Sequence, residues 1–172
     1  MQITLVLHNI RSTYNVGAIL RSAEGFGVEK IYCSGYTPCH LRPDILPHLA
    51  EKLQHQITKT AVGADSMVNM LWSNNILETI SAEKAAGATV IGLENNISDS
   101  RLIRLSELSQ ALQGLSEPQK QRVVLILGEE VDGISQELYN LIDIFAEIPM
   151  RGQKESLNVS VAAGIALYEL RR

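Results

Sequence analysis

The segment VVLIL at 123–127 is apolar at every position, without the alternation that a strand with one wet face carries. A strand of this kind must be covered on both faces, so the sheet containing it needs helices on both sides. Similar runs recur at ITLVLH (3–8), KIYC (30–33), TVIGLE (89–94), VVLILG (123–128) and DIFAEI (143–148). Between them, helical spacing marks 16–26, 45–55, 105–113, 135–141 and 157–171, and also 66–86 with a break near Ser73–Asn74. Strands alternating with helices predict an α/β protein with a mostly parallel sheet flanked by helices. A chain of 172 residues without repeats or long linkers fits a single domain over 1–172.

Composition excludes several classes. The chain is 45% hydrophobic and 20% charged, within the ordinary globular range. Its first residues, MQITLVLHN, are too short an apolar run for a signal sequence, and no run approaches the ~20 residues of a membrane span. Two cysteines, Cys33 and Cys39, make no disulfide framework and fit a reducing cytoplasm. Their spacing, with His40 adjacent, matches no zinc pattern. The net charge of -4 is unevenly spread: two mildly basic ends, 1–60 and 148–172, flank an acidic middle. One face can therefore meet a polyanion while the rest stays acidic.

Common cofactor loops are absent. Gly25 and Gly27 form a GxG, but Lys30 stands where a dinucleotide fingerprint needs glycine, and the pair falls at a helix end. No GxxxxGK[ST] occurs. The loop SGYTPCHLRP (34–43) reads either as a polar connection or as a substrate-touching segment.

Three segments carry polar residues where packing asks for apolar ones. In YNVGAILRSAEGFG (14–27), Val16, Ile19, Leu20, Ala23 and Phe26 form a core-facing stripe, yet the helix opens with Asn15 and Gly17 and carries Arg21. In LILGEEVDGIS (125–135), a buried strand ends in Gly128, passes two carboxylates and turns at Gly133, at the usual ligand position of an α/β sheet. In EIPMRGQKESLNVSVAAGIALYEL (147–170), a Pro-Met-Arg-Gly loop leads through Ser156, Leu157 and Asn158 into an apolar helix. Gly164 inside that helix costs up to ~1 kcal/mol against alanine, which implies a close packing partner.

Together these segments resemble, in order, the three motifs of the SpoU (TrmH-like) family of RNA ribose 2′-O-methyltransferases, within the SPOUT superfamily. Motif one runs Asn15 to Arg21. Motif two is Leu127 to Glu130 with Gly133, and motif three is Ile148 to Met150 through Ser156 to Ser160. A lesser match is KTAVGA (59–64). The resemblance implies a C-terminal deep trefoil knot, an exception to the rule that chains stay unknotted. It also implies an S-adenosyl-L-methionine pocket made by loops near 93–96, 128–133 and 148–158.

By similarity, Leu93, Gly128, Ile148, Ser156 and Leu157 would bind the cofactor, largely through backbone groups. Arg21 would be the catalytic arginine, a permanently charged fork for a phosphate or the 2′-oxygen. Asn15, Glu130, Ser156 and Asn158 would orient Arg21 and the ribose, and Gly17 would leave room beside Arg21 for substrate or a partner subunit. The resemblance further implies a homodimer with the site completed at the interface, packed through Val161, Ile165 and Leu167. It implies a tRNA or rRNA substrate. Relatives often carry an extra N-terminal domain or helical extensions that grip RNA, and this sequence departs from that pattern: it reads as a bare catalytic domain without a separate RNA-binding domain, and its apolar runs imply no membrane. Tyr14, Tyr36, Arg11 and Arg42 are candidates for stacking on unpaired bases. Two other readings share the fold: a catalytically silent RNA-binding module, which need not keep Arg21, Glu130 and Asn158, and a base methyltransferase. The Asn-Gly-Arg pattern and the SLN of motif three favour ribose.

Overall fold

The computed structural model describes residues 1–117, 119 and 121–172. Seven strands, β1 (Gln2–His8), β2 (Lys30–Ser34), β3 (Met70–Trp72), β4 (Thr89–Leu93), β5 (Leu102–Arg104), β6 (Arg122–Leu127) and β7 (Ile144–Glu147), form one sheet. Their order is β3-β2-β1-β6-β4-β7-β5, and every pairing is parallel. The helices are α1 (Thr13–Gly25), α2 (Pro47–Ala61), α3 (Ile76–Ala85), α4 (Leu108–Gln113), α5 (Glu117–Gln121) and α6 (Val159–Arg171).

The apolar run of β6 is buried on both faces, as its composition requires. Val123, Leu125 and Leu127 join one core with Ile3, Leu5 and Leu7 of β1. Val16, Ile19, Leu20 and Ala23 of α1 and Ala163, Ala166, Leu167 and Leu170 of α6 cover that face. Val124 and Ile126 point into a second core with Val90 and Phe145, covered by Ile76 and Ile80 of α3 and by Leu138 of the 3-10 turn Gln136–Leu141. No helix among the described residues is long and apolar enough to cross a membrane.

Several elements differ from expectation. The helix expected over 66–86 is a strand followed by a shorter helix. Met70–Trp72 pairs with Ile31–Cys33 on the sheet edge, and Asn75 caps α3 by accepting from Glu78 N at 3.3 Å. Three apolar residues fit either period, and only the neighbouring strand decides between them. The three-residue β5 lies outside every expected element for the same reason, and α5, a polar turn of five residues, carries no apolar period at all. Helix α1 starts earlier than expected. Ser12, not Asn15, is its cap, accepting from Asn15 N at 3.3 Å. Its far end is as expected, with Gly27 at φ 63 and Val28 N bonded back to Ala23 O at 2.9 Å. Helix α2 runs on to Ala61, and KTAVGA is its end, where Val62 and Gly63 turn the chain with positive φ.

Candidate active site

The C-terminal ends of β4, β6 and β7 open into a cleft whose walls are the segments after them. The space in it open to water-sized groups is about 120 Å³. Leu93, Gly128, Ile148, Ser156 and Leu157 all line it, as do Glu94, Asn95, Glu129 and Glu130. Gly128 is fixed by close approach, because any Cβ there would overlap the backbone of Gly133 and Ile134. Gly133, at φ 70, closes a tight turn in which Glu129 and Gly133 exchange backbone hydrogen bonds of 2.9 and 3.0 Å.

Two side chains at the end of β4 fasten the neighbouring loops. Asn95 donates to Ile148 O at 2.9 Å and accepts from Ile148 N at 3.0 Å. Glu94 accepts from Ile134 N at 2.7 Å. The first bond set holds the chain leaving β7, and the second holds the turn after β6. Neither residue stood out in the sequence. The only signal was polar residues directly after an apolar strand, in GLENN.

Glu130 accepts from Arg11 N at 2.9 Å, from Ser12 N at 3.3 Å and from Asn15 Nδ2 at 2.8 Å. Its carboxylate thus holds the two residues that lead into α1, at the positive end of the helix. Burial alone would raise its pKa, but the N–H of Arg11 and the amide of Asn15 outweigh that and hold it below the ordinary value. Asn15 Oδ1 in turn accepts from Asn158 Nδ2 at 3.1 Å. Asn158 is the cap of α6, its Oδ1 accepting from Ser160 N at 2.9 Å. The three motif segments therefore meet in one line of hydrogen bonds at the cleft rim.

Arg21 is not part of it. It lies six residues beyond Asn15 on α1, about 9 Å along the axis. It is exposed and, among the described residues, makes no hydrogen bond or ion pair. Gly17 has a different task from the expected one. A Cβ there would overlap Thr60 Oγ1 and the Ile57 carbonyl, so its absence lets α2 pack against α1 rather than making room for substrate. Among the described residues Gly164 has no close partner, since a Cβ at that position would meet only Ser22 Oγ, at 3.7 Å. Leu167 faces the core, whereas Val161 and Ile165 face solvent.

Of the stacking candidates, Arg42 is already engaged, 4.9 Å from the Trp72 ring and paired with Asp44 at 2.6 Å. Arg11 pairs with Glu129. Tyr14 and Tyr36 are about half exposed. The loop 34–43 is pinned by Thr37, which donates to Leu7 O at 2.9 Å and accepts from Ile10 N at 3.1 Å. Cys33 and Cys39 are buried and free.

A parallel sheet with a cleft at its strand ends defines an α/β protein whose ligand site lies where such sheets usually carry one. The pattern of the SpoU rRNA Methylase family matches residues 2–168, and the chain belongs to that family. The 23S rRNA (guanosine-2'-O-)-methyltransferase RlmB of Coxiella burnetii is 30% identical over 173 residues, covering 98% of this chain and 57% of that protein. The chain thus spans little more than half the length of that relative. Among solved structures, an AdoMet-bound rRNA methyltransferase from Sinorhizobium meliloti is similar in fold. Its TM-score is 0.76 at 24% identity, covering 99% of this chain and 56% of that one. A TrmH/SpoU tRNA modifying enzyme from A. aeolicus has a TM-score of 0.75 at 24% identity, covering 99% and 74%.

Proposed function

We propose that this protein is an S-adenosylmethionine-dependent methyltransferase acting on a ribose 2′-hydroxyl of tRNA or rRNA, and that it works as a homodimer. The observation that carries the reading is the line Asn158–Asn15–Glu130, which joins all three motif segments at one cleft. Family membership supports it, as does the activity named for the Coxiella burnetii relative.

The cleft suits the cofactor. Its walls combine apolar side chains, among them Leu93, Ile148 and Leu157, with the close-packed backbone of 128–133, surroundings that fit an adenosine group. We assign Leu93, Gly128, Ile148, Ser156 and Leu157 to holding it. Bound there, S-adenosylmethionine supplies a methyl group on a positively charged sulfur.

The chain itself must position the hydroxyl, relieve its proton and stabilise the negative charge that develops on oxygen. Glu130 and Asn15 fix the start of α1, and so the helix that presents Arg21. The guanidinium of Arg21 binds the neighbouring phosphate or the 2′-oxygen without changing protonation state. Ser156 lines the cleft with no partner for its hydroxyl among the described residues, leaving it free for cofactor or ribose. Asn158 orders the entry to α6 beside it.

Arg21 lies apart from the cleft of its own chain, which supports a site completed by a second protomer. A groove between α1 and α6 is flanked by Val161, Ile165 and Tyr168, which are 50%, 37% and 57% exposed. An apolar face of this kind suits packing across a two-fold axis. The trefoil knot belongs to the same proposal. In its favour, β7 lies between β4 and β5 although it follows both in the chain. Arg101 covers Phe145 on one face of the sheet, while Leu105 and Leu108 join the core on the other. The free cysteines favour a cytoplasmic setting.

The test is mass spectrometry of nucleosides from RNA of a deletion strain, alongside methylation of that RNA by the purified protein. One 2′-O-methylated nucleotide should disappear and be restored in vitro. An unchanged nucleoside profile, with no methyl transfer by the purified protein, would overturn the reading.

A further inference from the structure

The cleft is lined by three carboxylates, Glu94, Glu129 and Glu130, and its lining contains no lysine, arginine or histidine. Two of the three are compensated from outside. Glu129 pairs with the Arg11 guanidinium. Glu130 accepts from the N–H groups of Arg11 and Ser12, just ahead of α1, and takes the Asn15 amide. Glu94 has no such partner. Its Oε2 accepts from Ile134 N at 2.7 Å and its Oε1 from Asn95 N at 3.2 Å, and among the described residues no cation or side-chain donor reaches it.

The carboxylate is held rigidly. A Cβ on Gly133 would overlap Glu94 Oε2, so the turn after β6 closes on this side chain and on nothing larger. Burial raises the Glu94 pKa, and the two N–H groups only partly offset that. Glu94 is therefore a fixed acidic group without a counter-ion, beside apolar walls where charge is weakly screened.

We infer that Glu94 makes the cleft prefer a positively charged occupant, and so distinguishes the sulfonium form of the cofactor from the neutral thioether left after methyl transfer. This rests on the S-adenosylmethionine reading above. In that reaction the carbon–sulfur bond breaks with its electron pair staying on sulfur, a carbon–oxygen bond forms, and the hydroxyl proton leaves to a base. The bound ligand loses one positive charge and one methyl group. Size cannot favour release, because the product is the smaller ligand and fits wherever the donor fits. A fixed carboxylate can, since its attraction to the sulfonium vanishes with the charge. The amino and carboxyl groups of the ligand are the same in both forms and cancel in the comparison.

Calorimetry with S-adenosylmethionine and S-adenosylhomocysteine tests this, first on the wild type and then on Glu94→Gln. Glutamine keeps an oxygen for Ile134 N but removes the charge. The wild type should bind the sulfonium about tenfold more tightly, equivalent to about 1.4 kcal/mol. In Glu94→Gln the ratio should fall close to one, through loss of sulfonium affinity, with thioether affinity changing less than about threefold. An analogue carrying a protonated amine in place of the sulfonium should follow S-adenosylmethionine. Thioether binding reports that the variant is folded, and the wild-type ratio needs no variant. Equal wild-type affinities, or a parallel loss of both ligands in Glu94→Gln, would overturn the inference. A wild type that binds neither ligand would instead overturn the cofactor reading itself.

Discussion

Asn15 donates its side-chain amide to Glu130 across 115 positions of sequence, at 2.8 Å. The contact ties the first turn of α1 to the turn after β6, and Asn158 extends it to the start of α6. Each of these residues has a local task as well: Glu130 holds the N–H groups of Arg11 and Ser12 that lead into α1, and Asn158 caps α6. The rim of the cleft is thus held by the same bonds that begin two helices.

Replacing Glu130 by glutamine should weaken the fold by about 1–3 kcal/mol, the cost of losing a charged acceptor from partly buried N–H groups. The effect should depend on pH in a stated direction. The folded pKa of Glu130 is lowered, so its stabilisation is fully present above the unfolded carboxyl value, about 4.3, and is lost as pH falls through the folded value. Urea unfolding of both proteins between neutral pH and acid should show the two stability curves converging at low pH. Curves that stay parallel would remove Glu130 from this role.

Arg21→Lys keeps the charge and loses the planar fork. Methyl transfer in single turnover should slow by roughly 10²–10³-fold, the size expected for a lost preorganised donor. Cofactor affinity and unfolding midpoint should stay the same, because Arg21 is exposed, does not line the cleft and, among the described residues, has no hydrogen-bond or ion-pair partner. An unchanged rate would make Arg21 an ordinary surface residue.

Two Gly→Ala substitutions should differ in sign. Gly17→Ala forces a methyl group into Thr60 and the Ile57 carbonyl, and should destabilise by about 1–3 kcal/mol. Gly164→Ala meets only ordinary contact at Ser22 and gains helix propensity, so the isolated protomer should be unchanged or more stable by up to ~1 kcal/mol. Denaturant midpoints measure both, at concentrations low enough to exclude association.

Sedimentation at micromolar concentration should give twice the protomer mass. Val161→Glu places a charge on the exposed face of α6 and should yield a folded protomer of single mass. A wild type that is monomeric under these conditions would refute the dimer, and with it the cross-subunit role of Arg21.

The central strands were legible because burial on both faces leaves a mark on every residue, as in Val123–Leu127. The edge strands β3 and β5 were not, since three residues carry no period of their own and owe their form to one neighbour each. Within the site, the order of the motif residues was visible but not how they divide. Nothing in the spacing of Asn15 and Arg21 says that one bonds to the cleft rim while the other stands free. Gly17 was visible as an anomaly, but its cause is a helix more than thirty residues away. Glu94 and Asn95 act through backbone groups of distant loops, which leave no trace in the identity of the residues they bond.

The place of β7 between β4 and β5 has a consequence for assembly. Both neighbours precede it in sequence, so the sheet is completed from the inside, by the last of its seven strands in chain order. Until it is in place the cleft lacks its third wall, which begins at Ile148, and the core of β1 and β6 lacks α6, which follows β7 in the chain. A ligand would find no complete site in such a chain. Binding is then coupled to the whole fold rather than to a part of it. A ligand present at a hundred times its dissociation constant favours the finished molecule by about 2.7 kcal/mol over every unfinished one.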